Sequence, residues 1–322
     1  MKRILILATV AFFAGATSCT DGGEAVLPPP VPETTVRLEG AIGSSTRAVI
    51  GSGYEKDLEV SFARSDETAV SAETYGAWSL CDAVRSGGTG NRPILFAESQ
   101  LYPEDGGSIR LCGYYPRSTG VTDSGVTFGV DGDTDIMATG LLSGSHSSPI
   151  VSCLFRHLLT QLQFICYSDR AADWGSIVRI EAESVHTGQR LDPSEATPQL
   201  TDISTEEQIR DLRVGGIAGL SMPEIDEADP VLPEVQGYIL LPVSPETGTE
   251  TAPLRLRIVT THDGKGNETE TVHHASVFVE GGFQAGELHC IELLFSGRGL
   301  EVVSVSVADW NDHTTDGGNI DL

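Results

Sequence analysis

Asp131, Asp133 and Asp135 alternate along the chain, and their spacing could place three carboxylates around one cation. Such oxygens can hold Ca²⁺, but an EF-hand loop also needs a glycine and a downstream glutamate at fixed positions, and neither is present. The run reads as an acidic β-turn, and no metal is expected. The histidines are scattered. His273 and His274 are neighbours, so on a strand they face opposite ways and do not readily share an ion. His289 stands between Leu288 and Cys290 in an apolar run, and His157 lies in Phe155-Arg156-His157-Leu158. Packing or a hydrogen bond is the expectation for both. There is no H-E-x-x-H and no Cys/His cluster to support zinc. Nucleophilic catalysis lacks G-x-S-x-G, S-x-x-K and any cysteine-protease context. Gly51-Ser52-Gly53 and Gly87-Gly88-Thr89-Gly90 lack the lysine of a phosphate loop, and read as plain loops. With 46 Asp plus Glu, no single acidic pair singles itself out as glycosidase machinery. The reading is a protein without catalytic residues or cofactor.

The elements that position these residues are strands. Val36 and Leu38, then Leu58, Val60 and Phe62, then Ile109, Leu111 and Gly113 alternate with polar residues. Val178, Ile180 and Ala182, then Leu254, Leu256 and Ile258, then Val303, Val305 and Val307 do the same. A period of two gives each strand one face for a core and one for water. Asp105-Gly106-Gly107, Asp131-Gly132 and the run from Asp263 to Asn267 mark turns, because Asp, Asn and Gly accept left-handed backbone. The 36 Gly and 16 Pro fit many short strands and fit long helices poorly. One short helix is expected within 202–212, with Ser204 as N-cap and Glu207 closing a capping box. Residues 152–163 read as a strand entered through a turn or short helix. The expected class is therefore all-β, as two sandwiches in series, divided in the small polar stretch 143–149 and giving domains at 36–148 and 149–322.

Composition narrows the function. Twenty Lys plus Arg against 46 acidic residues give a net charge of −26, which opposes binding to nucleic acid or to an anionic membrane surface. Lys2 and Arg3 precede an apolar run at 4–15, too short to span a bilayer and suited to a signal peptide. Gly15-Ala16-Thr17-Ser18-Cys19 resembles the lipobox of bacterial lipoproteins. That resemblance implies a signal peptide at 1–18, cleavage before Cys19 and acylation of Cys19. Residues 19–35, with Pro28-Pro29-Pro30-Val31-Pro32, then form a flexible proline-rich tether. Cys81, Cys112, Cys153, Cys166 and Cys290 remain, an odd number without C-x-x-C spacing. They are read as small buried hydrophobes, with one disulfide left open.

Four stretches carry a wider resemblance. They are Ser45-Thr46-Arg47-Ala48; Tyr114-Tyr115-Pro116 with Asp135-Ile136-Met137-Ala138-Thr139; Phe155-Arg156-His157-Leu158-Leu159-Thr160-Gln161-Leu162; and Phe283-Gln284-Ala285-Gly286-Glu287-Leu288-His289 closed by Val307-Ala308-Asp309-Trp310. In this order, with the lipobox, the chain resembles the fimbrillin-like proteins of Bacteroidota, which include fimbrial subunits and fimbrial anchor lipoproteins. The resemblance implies two tandem Greek-key, transthyretin-like β-sandwich domains. It also implies export to the cell surface as an outer-membrane lipoprotein, and a role as shaft, tip or anchor subunit in adhesion. In polymerising members a first strand is removed by cleavage after an arginine, and a strand from a neighbouring subunit replaces it. On this sequence the leaving strand is 36–42, with Val36, Leu38 and Ile42 as its apolar residues, and Arg47 is the cleavage candidate. The implied partners are fimbrial subunits, the membrane through lipid, and a host or bacterial surface receptor. The tail 311–322 offers only Ile320 and Leu322 as apolar knobs, which favours an anchor, tip or accessory role over a shaft. The second reading is a surface lipoprotein that binds glycans or host ligands, for which an exposed Trp78 or Trp174 would be the platform.

Overall fold

The computed structural model describes residues 34–43, 50–69, 74–226, 231–244 and 247–309. Cys19, Arg47, Trp310 and the tail lie outside the described residues.

The first strands are β1 (Leu38–Ile42), β2 (Leu58–Ala69), β3 (Thr74–Tyr75), β4 (Ser79–Arg85), β5 (Arg92–Phe96) and β6 (Ile109–Tyr115). There follow β7 (Val126–Gly129), β8 (Met137–Ala138), β9 (Leu142–Gly144) and β10 (Ser152–His157). Seven of these close on themselves in the order β2-β4-β5-β1-β10-β8-β6, with β6 pairing back onto β2. A closed ring with an odd number of strands cannot alternate direction throughout, so one neighbouring pair has to be parallel. That pair is β1 with β10, and every other pair in the ring is antiparallel. Closure removes the free backbone edges that an open sheet of this size would expose.

The later strands are β11 (Leu159–Ser168), β12 (Ser176–His186), β13 (Gly188–Leu191), β14 (Leu200–Asp202), β15 (Ile209–Arg213) and β16 (Leu220–Ser221). The last are β17 (Gly237–Pro242), β18 (Leu254–Thr260), β19 (Thr271–Val277), β20 (Glu287–Ser296) and β21 (Gly299–Asp309). They form a sheet β17-β11-β20-β21 and a sheet β15-β12-β18-β19, with β16 on β12. A third sheet, β14-β13-β7, pairs β7 from the first half with strands of the second. The class is all-β, as expected.

Two apolar cores follow from the alternation. One fills the ring and includes Leu38, Val60, Phe62, Ile94, Leu111 and Phe155. The other lies among the later sheets and includes Phe164, Ile180, Leu256, Ile291 and Phe295. Ala63, Cys112 and Tyr114 belong to the second core although β2 and β6 are ring strands. Both strands are therefore buried on two faces: Phe62 points into the ring and Ala63 out of it into the neighbouring core.

Several local expectations change. Residues 152–163 contain no helix but two strands broken at Leu158. In 202–212 the helix shrinks to one 3₁₀ turn at Glu206–Gln208, capped by Thr205 with Gln208 rather than by Ser204 with Glu207. Ser204 instead bonds Gly188 across the sheet. The stripe Val178-Ile180-Ala182 is shifted by a bulge between Ile177 and Arg179, so Ile177 takes the buried place and Val178 is only half-buried. A second irregularity between Glu292 and Leu293 puts Val303 out of phase and exposed on β21, while Leu300, Val302 and Val305 touch the core; Val307 is in phase with Val305 and is exposed all the same.

Candidate functional site

β1 is the first strand described, and it is held on both sides. Its register against β5 pairs Leu38 with Ile94 and Gly40 with Arg92, antiparallel; against β10 it pairs Glu39 with Ser152 and Ile42 with Phe155, parallel. Glu39 N–H donates to the Val151 carbonyl at 3.1 Å and Gly43 N–H to the Phe155 carbonyl at 2.7 Å. Upstream, Val36 N–H reaches the Gln100 carbonyl at 2.8 Å, and Tyr102 N–H reaches the Thr34 carbonyl at 2.9 Å. Val36, Leu38 and Ile42 are all buried inside the ring, as the alternation requires. Burial of a side chain of this size is worth about 1.5–3 kcal/mol. β1 thus plugs a slot whose walls are the backbones of β5 and β10 and whose floor is apolar.

The fourth inward position is Gly40. A Cβ there would lie 2.8 Å from Ile94 Cδ1, 3.3 Å from Phe155 Cε2 and 3.4 Å from Cys153 Sγ. Beside it runs Arg85, fully buried on β4 in phase with Cys81 and Ala83. Its guanidinium is satisfied by carbonyls: Nε donates to Gly40 at 2.9 Å, Nη1 to Ser86 at 3.1 Å, and Nη2 to Gly88 at 3.0 Å and Gly90 at 2.9 Å. Burial, with Arg92 nearby, holds its pKa below the usual arginine range. Burial pushes the Cys153 thiol up to about 12, so it is a neutral hydrophobe here. The sequence reading did not single out Gly40 or Arg85. The visible signals were a glycine in the middle of an apolar stripe and an arginine in phase with Cys81 and Ala83.

At the exit of β1 lies a cavity of about 440 Å³ lined by Ile42, Gly43, Leu154, Arg156, His157 and Ala285, among others. His157 is buried there, and its Nδ1 stands 2.5 Å from Asp135 Oδ2. This pair separates Asp135 from the other two aspartates. Asp131 accepts from the backbone N–H groups of Asp133 at 2.9 Å and Thr134 at 2.7 Å, and from Thr134 Oγ1 at 2.8 Å. Partial burial raises the Asp131 pKa, but these bonds outweigh it and leave the carboxyl below its ordinary value. The turn expected from Asp131 and Gly132 is therefore made, with Gly132 at φ +96°. Among the described residues, no group of three His, Cys, Asp or Glu could hold a metal ion.

The other candidates disperse. His273 bonds Thr260 Oγ1 at 3.0 Å, while His274 faces Glu183 at 3.5 Å, on opposite sides of β19 as adjacency requires. His289 is buried against Phe283, with ring centroids 4.9 Å apart. Trp174 is 2% exposed, packed between His273 and Phe295, and Trp78 is half-buried against the second core, so neither is an open stacking platform. Cys81, Cys112, Cys153 and Cys166 are buried free thiols, and Cys290 is half-buried. Among the described residues, no helix is long and apolar enough to cross a membrane.

The family model described as fimbrillin-like matches residues 46–310. A candidate cell adhesion protein from Bacteroides uniformis has a similar solved structure, with TM-score 0.60 and 17% identity, covering 87% of this chain and 99% of that one. A second, from Bacteroides ovatus, has TM-score 0.54 and 12% identity, covering 86% of this chain and 97% of that one. These likenesses are likenesses of fold. No curated protein matches the chain. The span of the family match decides the matter: the chain belongs to the fimbrillin-like family of cell-surface fimbrial and adhesion proteins, as a non-enzymatic structural member.

Proposed function

We propose that this chain is a fimbrial tip, anchor or accessory subunit assembled by donor-strand addition. In this reading β1 is the leaving strand, with Val36, Leu38 and Ile42 as its apolar contacts. The cut falls after Arg47, and a strand from a neighbouring subunit refills the slot. Lipid on Cys19 holds the uncut form at the outer membrane. The chain is divided into two transthyretin-like Greek-key domains, with the first extended to His157 because β10 pairs inside the ring.

The observation that carries the reading is the position of β1. Among the described strands it comes first, it is paired on both sides, and its C-terminal end is the one that continues into the ring. A single cut in 44–49 therefore frees it without unthreading any other strand. Its departure leaves two unpaired backbones and an apolar trough, which together demand another strand. The glycan-binding alternative has no comparable support, since Trp174 is buried and Trp78 packs on the core.

Arg-specific proteolysis of the folded full-length protein tests the proposal. The expected products are a fragment ending at Arg47, released from the slot, and a stable remainder whose open slot takes up a donor strand supplied in trans. A chain left uncut at Arg47, or cut with its fragment still in place and no donor taken up, would speak against strand replacement. Mass spectrometry of the cell-surface protein should find an acylated Cys19 as the first residue of the uncut form; a mature chain that starts elsewhere removes the tether.

A further inference from the structure

We infer that the β1 slot selects its occupant by a glycine. A strand that closes this ring must follow the order apolar-x-apolar-x-Gly-x-apolar, with the glycine at the place of Gly40 and its carbonyl accepting from Arg85. The inference rests on the reading that β1 is replaceable, and it names the chemistry of the strand that replaces it.

Space is the first argument. Gly40 is not among the glycines with positive φ, so its backbone conformation is open to any residue. What excludes a side chain is the ring interior. Ile94 Cδ1 at 2.8 Å is the end of a flexible side chain and can swing aside, but Ile94 is itself buried. The Phe155 edge and the Cys153 sulfur stand just behind it. A methyl group forces repacking, and a branched side chain has nowhere to go.

Charge is the second. Three of the four acceptors that satisfy the buried Arg85 come from its own turn, at Ser86, Gly88 and Gly90. The fourth is lent by the occupant of the slot, at Gly40. No carboxylate is hydrogen-bonded to this guanidinium among the described residues. With the slot open, Nε faces water; with it closed, an incoming strand must supply a carbonyl at that point or bury an unsatisfied charged donor. A slip of one residue moves the carbonyl away and turns the apolar side chains outward. Gly40 and Arg85 together therefore fix register as well as fit.

The chain's own tail does not meet the rule. Aligning Gly318 with Gly40 puts Ile320 at the place of Ile42, but Asp316 and Thr314 fall where Leu38 and Val36 are buried. Aligning Gly317 instead puts Asn319 at the place of Ile42. The occupant is thus an extended segment of a different subunit, with three apolar residues and a glycine at alternate positions.

The test uses the full-length chain with a specific protease sequence placed between Gly43 and Ile50, cut after folding. A labelled peptide of residues 36–43 then competes with the resident strand. The same peptide carrying Gly40→Ala, Gly40→Val, or Leu38→Gly together with Gly40→Leu is compared with it; the last keeps composition and apolarity and moves only the glycine. The expected result is incorporation of the native peptide, a few-fold loss for Gly40→Ala, and at least about tenfold loss for the other two. Equal incorporation of the native and rearranged peptides overturns the inference while leaving strand replacement intact. The same substitutions in the uncut chain, read by thermal unfolding, ask the question in cis. If the cut chain exchanges no peptide but Gly40→Ala and the rearranged chain melt progressively lower, replacement fails and the slot's selectivity stands. If those uncut variants melt with the native chain, the selectivity fails.

Discussion

β1 and β11 hold the same place in the two halves of the molecule. Each has an antiparallel neighbour on one side, β5 or β17, and a parallel neighbour on the other, β10 or β20. Their anchoring differs. β11 runs ten residues, all but one of them buried, and β10 and β12 lie before and after it in the chain. β1 runs five residues, brings Leu38, Ile42 and a glycine to the core, and is joined to the ring at one end only. A parallel strand is easy to detach when it is short and terminal, and it is a structural spine when it is long and internal. On the proposed reading, the same pairing pattern serves exchange in one half and permanence in the other.

The largest expected effect lies in the permanent half. Phe164→Ala empties a fully buried site on β11 and should cost about 4 kcal/mol of global stability in a denaturant titration. A loss confined to part of the molecule would mean that β11 is not the spine described here. The halves also differ in their buried histidines. His157 in the ring has Asp135 at 2.5 Å, whereas His289 on β20 is packed on Phe283. Burial lowers the His289 imidazole from the ordinary 6.5 to about 4, even with Glu287 at 3.6 Å, so the native state keeps it neutral. The unfolded chain takes up the proton near pH 6.5 and the folded chain does not until about pH 4. The stability linked to neutral His289 is complete above 6.5 and falls away as the pH drops through that window. The loss reaches about 3 kcal/mol at its acid limit. His289→Phe should flatten the difference between melting curves at pH 7 and pH 4.5; an unchanged slope would mean that the imidazole is protonated within the fold.

What could be read from sequence follows the range of the interaction. Alternation gave β1, β2 and β18 their inward residues, because a strand's two faces are decided by its own neighbours. It failed at Val178 and Val303, where one extra residue flips the phase without any local mark. Leu111 and Cys112 illustrate a second limit. Both are buried because the ring has one core inside it and another outside, and no pattern within β6 announces the second. Within the site, Val36 and Leu38 were legible as an apolar stripe, and Ile42 was added by the family resemblance. The slot was not, because its walls come from β5 and from β10, far along the chain. Asp135 and His157 were each noticed, but their pairing spans 22 residues and two strands.

Weakening β1 itself sharpens the contrast. Leu38→Ala should cost about 2 kcal/mol, at the low end for such a truncation because a short terminal strand can shift to relieve the cavity. The cost should appear as local opening. Hydrogen exchange is expected to speed up at the amides that β1 protects or uses along β5 and β10, while β17 and β20 stay slow. Uniform acceleration across both halves would show that β1 is bound into the global unfolding unit and is no separate plug.

The smallest effect tests how the halves are joined. The Asp131 turn shapes a loop whose Gly132 carbonyl accepts from Leu240 N–H on β17 at 2.7 Å. The Gly132 α-carbon also sits against Ile239, close enough that an added Cβ would lie 3.2 Å from its Cγ1. Asp131→Ala removes the acceptor for two backbone N–H groups and one hydroxyl, all exposed enough for water to replace much of what is lost. The expected cost is therefore only about 1 kcal/mol. Because the turn leans on β17, the loss should raise exchange at Leu240 and leave β1 untouched, so β1 keeps its protection when the junction loosens. Added Ca²⁺ should not change the melting temperature of either the native chain or this variant. A calcium-dependent rise in the native chain alone would return the three aspartates to the role of ligands, and would make the junction an ion-controlled one.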